Sequence, residues 1–135
     1  MSTIKLIDQF RASSALHAAA LNKIASMDDA TLGRVLALVD MPVPVVADLD
    51  ARMLAAAESG NLDMGKWHCG TTHCRAGWAV VFGGDDGARL EQVIGTEMAG
   101  RLIYEASTGR IAPNFYASND AAIADIRACA ALAAS

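Results

Sequence analysis

The sequence predicts an all-α fold in which six or seven short helices form one compact domain. The chain has 135 residues, which is long enough to bury a core without disulfide bonds. Hydrophobic residues make up 53% of the chain but aromatic residues only 5%, because alanine is so abundant. Alanine is the strongest helix former and is depleted in strands. Apolar residues also recur at the helical spacing of three or four positions, so we expect helices throughout residues 1–135.

The N-terminal third is expected to be a helical hairpin that ends at a proline-containing connector. A helical pattern of apolar residues begins at Ile4 and covers residues 3–25. A second helix follows, which makes residues 1–41 the hairpin. The two prolines in residues 42–47 fix their own φ angles and favour extended backbone before them, so they predict a stiff connector.

Residues 48–135 are expected to form a helical core that carries the motif described below. Asp48 or Asp50 is a candidate cap for its first helix, and Ser118 or Asn119 for its last. Glycines between the helices act as C-terminal stops. The predicted helices of this core cover residues 49–58, 71–82, 89–94, 98–106 and 120–133.

The charge of the chain argues against direct nucleic-acid binding. Its formal net charge is −4 and its isoelectric point is about 5.2, which disfavours binding by phosphate neutralisation. The N-terminus lacks the uninterrupted apolar core of a signal peptide, and no apolar run reaches the roughly 20 residues that cross a bilayer. We therefore expect a cytoplasmic protein without membrane association, whose three cysteines are thiols or metal ligands.

Chemically distinctive side chains are concentrated in one short stretch, which holds two of the three cysteines and two of the three histidines. It reads His68-Cys69-Gly70-Thr71-Thr72-His73-Cys74-Arg75-Ala76-Gly77-Trp78. One hypothesis is a structural zinc site with His68, Cys69, His73 and Cys74 as a Cys₂His₂ ligand set. Against it, adjacent ligands point apart on regular backbone, and familiar zinc modules separate their ligand pairs by a longer loop. No other cofactor is expected.

A second hypothesis is a cysteine-dependent enzyme. Cys74 would lie in the first turn of the predicted helix, where unpaired N–H groups and the helix dipole favour the thiolate. His73 is the neighbouring candidate base, although adjacent side chains usually project in different directions.

The spacing from Cys69 to Arg75 supports a third hypothesis, an anion-binding site. The pattern His-Cys-x₅-Arg resembles the phosphate-binding loop of the cysteine phosphatases. That resemblance implies Cys69 as the nucleophile, Arg75 as the phosphate ligand with Thr71 and Thr72 in the loop, and Asp63 as a general acid. An arginine and backbone N–H groups at a helix start are suited to binding a phosphate. The chain departs from the family because no strand pattern precedes the loop and its central glycine is missing.

The same stretch also fits a purely structural role. In this interpretation Thr71 or Thr72 caps the helix, and Cys74 is a small buried hydrophobe. Gly77 would allow two helices to cross closely. The tryptophans at positions 67 and 78 would anchor the core.

The stretch further resembles a signature of small bacterial and phage-associated proteins of unassigned activity. The similarity comprises LDMGKWH at residues 62–68, CGTTHCRAGW at 69–78, AGRLIY at 99–104 and FYASNDAA at 115–122. It therefore covers the C-terminal half of the chain. The resemblance implies a recurring motif and a bacterial or phage setting, and it carries no mechanism.

The leading functional hypothesis is a small binding module that docks on a protein partner, as a phage or bacterial inhibitor or adaptor would. A small acidic chain without a complete catalytic set favours this interpretation over an enzyme. The competing hypothesis is a cysteine-dependent enzyme or phosphate-ligand binder centred on Cys69, His73, Cys74 and Arg75.

Overall fold

The computed structural model describes residues 2–12 and 41–135, and helices dominate both stretches. They contain six helices and two small antiparallel sheets of two strands each. The predicted helical character is confirmed, but the sheets depart from an all-α fold. In chain order the elements are β1 (Ser2–Lys5), α1 (Leu6–Ala12), β2 (Pro42–Val45), α2 (Leu49–Glu58), β3 (His68–Cys69), β4 (Thr72–His73), α3 (Arg75–Phe82), α4 (Gly84–Ile94), α5 (Thr96–Thr108) and α6 (Asn119–Ala134).

The first sheet joins the N-terminus to the proline segment. β1 and β2 pair antiparallel with Ile4 opposite Val43, and the Val43 side chain is fully buried. The helix predicted from residue 3 is therefore wrong at its start, because strand pairing overrides the helical spacing of Ile4. Residues 42–45 of the predicted connector form strand β2, since proline tolerates the extended backbone of an edge strand. The rest of the predicted hairpin, residues 13–40, lies outside the described residues.

α3 is the central helix of the described fold. It packs against α2, α4 and α5, while α2 packs against α6 and β2 packs against α4 and α5. A glycine brings α3 and α5 together: a Cβ atom on Gly100 would lie only 2.8 Å from Cβ of Ala76. The core between these elements includes Val43, Leu49, Met53, Cys74, Ala76, Leu90, Leu102, Ile103, Phe115 and Ile126.

The helices of the core agree with prediction to different degrees. α2 has the predicted bounds, and the predicted Ser118 cap of α6 is confirmed because its hydroxyl accepts a hydrogen bond from the Ala121 N–H at 3.2 Å. Asp48 occupies the N-cap position of α2 without a side-chain capping bond. The start predicted for α3 at Thr71 or Thr72 is wrong, because a β-hairpin occupies that segment.

Within residues 2–12 and 41–135, no helix combines the length and the apolar character needed to span a bilayer.

Candidate functional site

The two histidines of the motif face each other across a β-hairpin. β3 and β4 pair so that His68 lies opposite His73 and Cys69 opposite Thr72. Gly70 has a φ angle of +60°, as the first central residue of a type II′ turn requires. In such a hairpin the pair one step beyond the turn-flanking residues is not hydrogen-bonded across the strands, and its side chains lie closest together. Accordingly, the His73 N–H donates away from β3, to the Asn61 carbonyl at 3.1 Å.

The histidine pair forms the centre of a hydrogen-bonded chain. The Nδ1 atoms of His68 and His73 are 2.7 Å apart, so one ring donates and the other accepts. Nε2 of His68 lies 2.5 Å from a carboxylate oxygen of Glu91, which also accepts from the Thr96 hydroxyl at 2.8 Å. Two imidazolium rings would direct N–H groups at each other, so this contact allows at most one of the two rings to be cationic.

His73 is buried between His68 and Trp78, which it meets edge to face with ring centroids 4.7 Å apart. Burial lowers the pKa of His73, and the neighbouring His68 adds to this effect against the opposing influence of Glu91. Trp78 in turn donates from Nε1 to the Asn61 carbonyl at 2.8 Å. It is thus a half-buried anchor that fixes the hairpin to the segment before it, in agreement with its predicted structural role.

The motif cysteines occupy different environments. Cys69 is exposed on β3, and because successive strand residues point to opposite faces, its thiol faces away from the histidine pair. Cys74 is 1% exposed and is the N-cap of α3, where its sulfur accepts a hydrogen bond from the Gly77 N–H at 3.3 Å. Burial raises the pKa of the Cys74 thiol. The Cys74 thiol therefore lacks the accessible, acidic environment that a nucleophilic cysteine requires, and the Cys69 thiol lacks the histidine pair as a base.

The structure brings together two members of the predicted zinc set, His68 and His73. Among the residues that are described, no three His, Cys, Asp or Glu side chains converge as metal ligands would. Cys69 and Cys74 thus do not complete a ligand group with the histidines.

Arg75 points into the protein. Its side chain is 2% exposed, and its Nε and Nη1 atoms donate to the Tyr104 hydroxyl at 2.8 Å and to a carboxylate oxygen of Asp125 at 2.6 Å. Burial acts to lower the pKa of Arg75, but these two partners outweigh it and raise the pKa. Burial also raises the pKa of Tyr104 to about 12, despite the opposing effect of Arg75.

The phosphatase-like arrangement is consequently not assembled. Arg75 is directed toward α5 and α6, whereas Cys69 and Thr71 are exposed on the hairpin and Thr72 lies on β4. Asp63 accepts a hydrogen bond from the Gly65 N–H at 2.9 Å within its own turn. The backbone amides of the hairpin and the guanidinium therefore do not surround a common anion position.

Gly77 serves a different purpose from the predicted helix crossing. A Cβ atom at this position would lie 2.0 Å from the backbone oxygen of Trp67, so the glycine admits the segment that leads into the hairpin. The Cys74 N–H ties the same segment down by donating to the Lys66 carbonyl at 3.0 Å.

A pair of exposed aromatic side chains lies at the edge of this region. Trp67, predicted as a core anchor, is instead 37% exposed and meets the ring of Tyr116, which is 68% exposed, edge to face with centroids 5.8 Å apart. The Tyr116 hydroxyl donates to Glu97 at 2.7 Å, and this bond raises the pKa of Tyr116. Beside Trp67 is a recess of about 360 Å³, lined also by Ile94, Gly95, Thr96, Glu97 and Met98. We call these residues together the Trp67–Tyr116 surface.

The contact between Trp67 and Tyr116 could not be predicted from the sequence. Trp67 and Tyr116 are 49 positions apart in the sequence. Neither belongs to a periodic pattern that would predict contact between their rings. Glu91, the carboxylate partner of His68, could not be predicted either, because it lies on a separate helix 23 positions further along the chain.

Comparisons with protein-family models, with curated proteins and with solved structures return no match for this chain. The resemblance of its C-terminal half to bacterial and phage-associated proteins stays a prediction.

Proposed function

We propose that this protein is a binding module that docks on a partner protein through the Trp67–Tyr116 surface. The observation that carries the proposal is the pair of exposed aromatic rings in contact, of which Trp67 lines a recess and Tyr116 bonds to Glu97 of the same recess. Tryptophan and tyrosine are the residues most enriched where interfaces derive their binding energy. An edge-to-face contact and the bond from Tyr116 to Glu97 restrain both rings before binding, which reduces the entropy lost on association.

The residues that line the recess indicate what kind of side chain a partner would insert there. Ile94 and Met98 contribute apolar surface, while Thr96 and Glu97 place polar groups at the margin. Such a site suits a partner that inserts one apolar side chain and covers the two rings with its own surface. A bacterial or phage setting follows from the resemblance, and in that setting an inhibitor or adaptor acts by this kind of docking.

An enzymatic role centred on the motif cysteines is less well supported. Cys69 faces away from the histidine pair, and Cys74 is buried as a helix cap with a raised pKa. The described geometry therefore favours docking over cysteine chemistry, and the proposal includes no cofactor.

The test is quantitative capture from a bacterial lysate, followed by calorimetry with the purified partner. We expect Trp67→Ala and Tyr116→Ala each to weaken binding by about tenfold or more, the effect of losing more than about 1 kcal/mol at a hot spot. Leu132→Ala is the matched control, because Leu132 is 61% exposed but lies near the C-terminal end of α6. A partner bound equally by the wild-type protein and both aromatic variants would contradict the proposal, as would the absence of any saturable partner.

A further inference from the structure

A second cavity, of about 380 Å³, lies between the start of α2, the end of α5 and the end of α6. Polar side chains line one part of it, including Asp48, Asp50, Ser107 and Arg110. The wall contributed by α6 consists of alanines, Ala130 among them, whose small side chains leave the space open. We call this cavity the Asp50 cleft.

Asp50 is a buried carboxylate with one unused oxygen. The residue is 6% exposed, and one of its oxygens accepts a hydrogen bond from Nη2 of Arg110 at 2.6 Å. The other oxygen, Oδ1, is buried and has no hydrogen-bond partner among the described residues. A buried acceptor without a donor is unfavourable, and native proteins rarely keep one without a reason.

The hydroxyl groups that line the cleft do not bond to Oδ1. The Ser107 hydroxyl accepts from the Val46 N–H at 2.9 Å. The Thr108 hydroxyl donates to the Tyr104 carbonyl at 2.8 Å and accepts from the Arg110 N–H at 3.1 Å. The residues that line the cleft thus supply no donor to Oδ1, and we expect one from a bound molecule.

The formal charges around the cleft favour a cationic donor. Two carboxylates, Asp48 and Asp50, line it together with one guanidinium, that of Arg110, which leaves one negative charge in excess. Arg110 is the more exposed side of the ion pair, with 36% of its side chain exposed against 7% for Asp50. Because Oδ1 is buried, a ligand reaches it only if the exposed part of the Arg110 side chain shifts.

We propose that the Asp50 cleft binds a small ligand through a primary ammonium group, which donates to Oδ1 of Asp50. Arg110 keeps its bond to the other carboxylate oxygen, so both oxygens are then satisfied. The alkyl part of the ligand lies along the alanine wall of α6, where it replaces water against apolar surface.

Titration of the full-length protein with putrescine, followed by two-dimensional NMR, tests the proposal. We expect saturable shifts of the Asp50, Ser107 and Arg110 amide signals. Tetramethylammonium, which carries the same kind of charge but no N–H donor, should give none. Asp50→Asn should weaken putrescine binding by about tenfold or more, as loss of a charged hydrogen bond would. Asp85→Asn, which removes an exposed carboxylate on α4, should leave it unchanged.

Equal binding of tetramethylammonium, equal binding by Asp50→Asn, or no saturable binding of putrescine would each overturn the proposal. In the last case water alone meets Oδ1. If Asp50→Asn does not fold, Ala130→Leu decides the question, because it fills the cleft while leaving the ion pair intact. We expect Ala130→Leu to weaken putrescine binding, and unchanged binding would contradict the site.

Discussion

At the scale of single residues, the histidine pair links one proton to the geometry of the hairpin. The contact between the Nδ1 atoms of His68 and His73 needs one donor and one acceptor. The Glu91 carboxylate contacts the far side of the His68 ring and leaves this requirement unchanged. Protonation of both rings would therefore break the contact between the two strands of the hairpin.

The buried position of His73 predicts the direction of the pH dependence. Its pKa in the folded protein is lower than the ordinary value of 6.5, so the unfolded chain binds the proton more readily. The free energy of unfolding should consequently fall as the pH decreases below about 6.5 and recover above it. Urea unfolding measured between about pH 5.5 and 7.5 checks this, because carboxylates titrate mostly below that window.

His73→Gln is the matched variant, since it retains a polar side chain and does not titrate. The variant should show a shallower decrease in stability over the same pH range. An equally steep decrease in both proteins would assign the effect to other groups.

The sequence predicts which residues form the candidate site, but it does not predict where their side chains point. The sequence identified the stretch with two histidines, two cysteines and Arg75, and the structure places its histidines in contact. The inward orientation of Arg75 depends on Tyr104 and Asp125, which lie 29 and 50 positions away along the chain. A spacing pattern within one segment contains no information about partners at such a distance.

At the scale of elements, the close crossing of α3 and α5 depends on the absence of a side chain at Gly100. Gly100 on α5 lies so close to Ala76 on α3 that an added Cβ atom would approach the Ala76 backbone to 2.9 Å. Both residues are fully or almost fully buried. The crossing therefore has no solvent-filled space into which either helix could shift to make room for an added methyl group. Overpacking at such a crossing usually costs about 1–3 kcal/mol.

Gly100→Ala should therefore destabilise the protein, although alanine favours helix by about 1 kcal/mol over glycine. We expect a loss of about 2 kcal/mol in the free energy of unfolding, measured by urea denaturation. Ala76→Gly combined with Gly100→Ala should recover part of this loss, because it removes the methyl group at position 76 while the backbone there stays too close to the new side chain. A stabilised Gly100→Ala variant would show that the helices separate more easily than the packing indicates.

Helices with clear end signals could be predicted from the sequence, and the strands could not. α2 and α6, of ten and sixteen residues, have stops or caps at their ends, whereas α4 begins five residues before its predicted start at residue 89. The strands of the hairpin have two residues each, which is too short for any period to show. The available signal was the Gly70-Thr71 dipeptide, since glycine first in a two-residue loop is typical of a type II′ hairpin.

At the scale of the whole molecule, the three cysteines differ in how deeply they are buried. Cys69 is exposed, Cys129 is partly buried and Cys74 is fully buried. Their reactivity toward an alkylating reagent thus reports local and global opening separately.

Brief alkylation with iodoacetamide, followed by peptide mass spectrometry, should modify Cys69 first and Cys74 last. Protection of Cys74 relative to Cys69 should be at least about a hundredfold, because its thiol becomes accessible only when α3 opens. Cys69→Ser is the control and should remove the rapid phase alone. Similar rates at Cys69 and Cys74 would show that the start of α3 opens independently of the core.

The prolines of β2 also limit what the first sheet can become. The Leu6 N–H donates to the Met41 carbonyl, and two-residue alternation from that bond directs the N–H groups of Val43 and Val45 toward β1. The outward positions are those of the two prolines, which have carbonyls but no N–H group. An incoming strand from another molecule would find half of its bonding partners missing along that border. Self-assembly by strand addition is thereby discouraged at this side of the sheet without the charged side chains that many proteins place there.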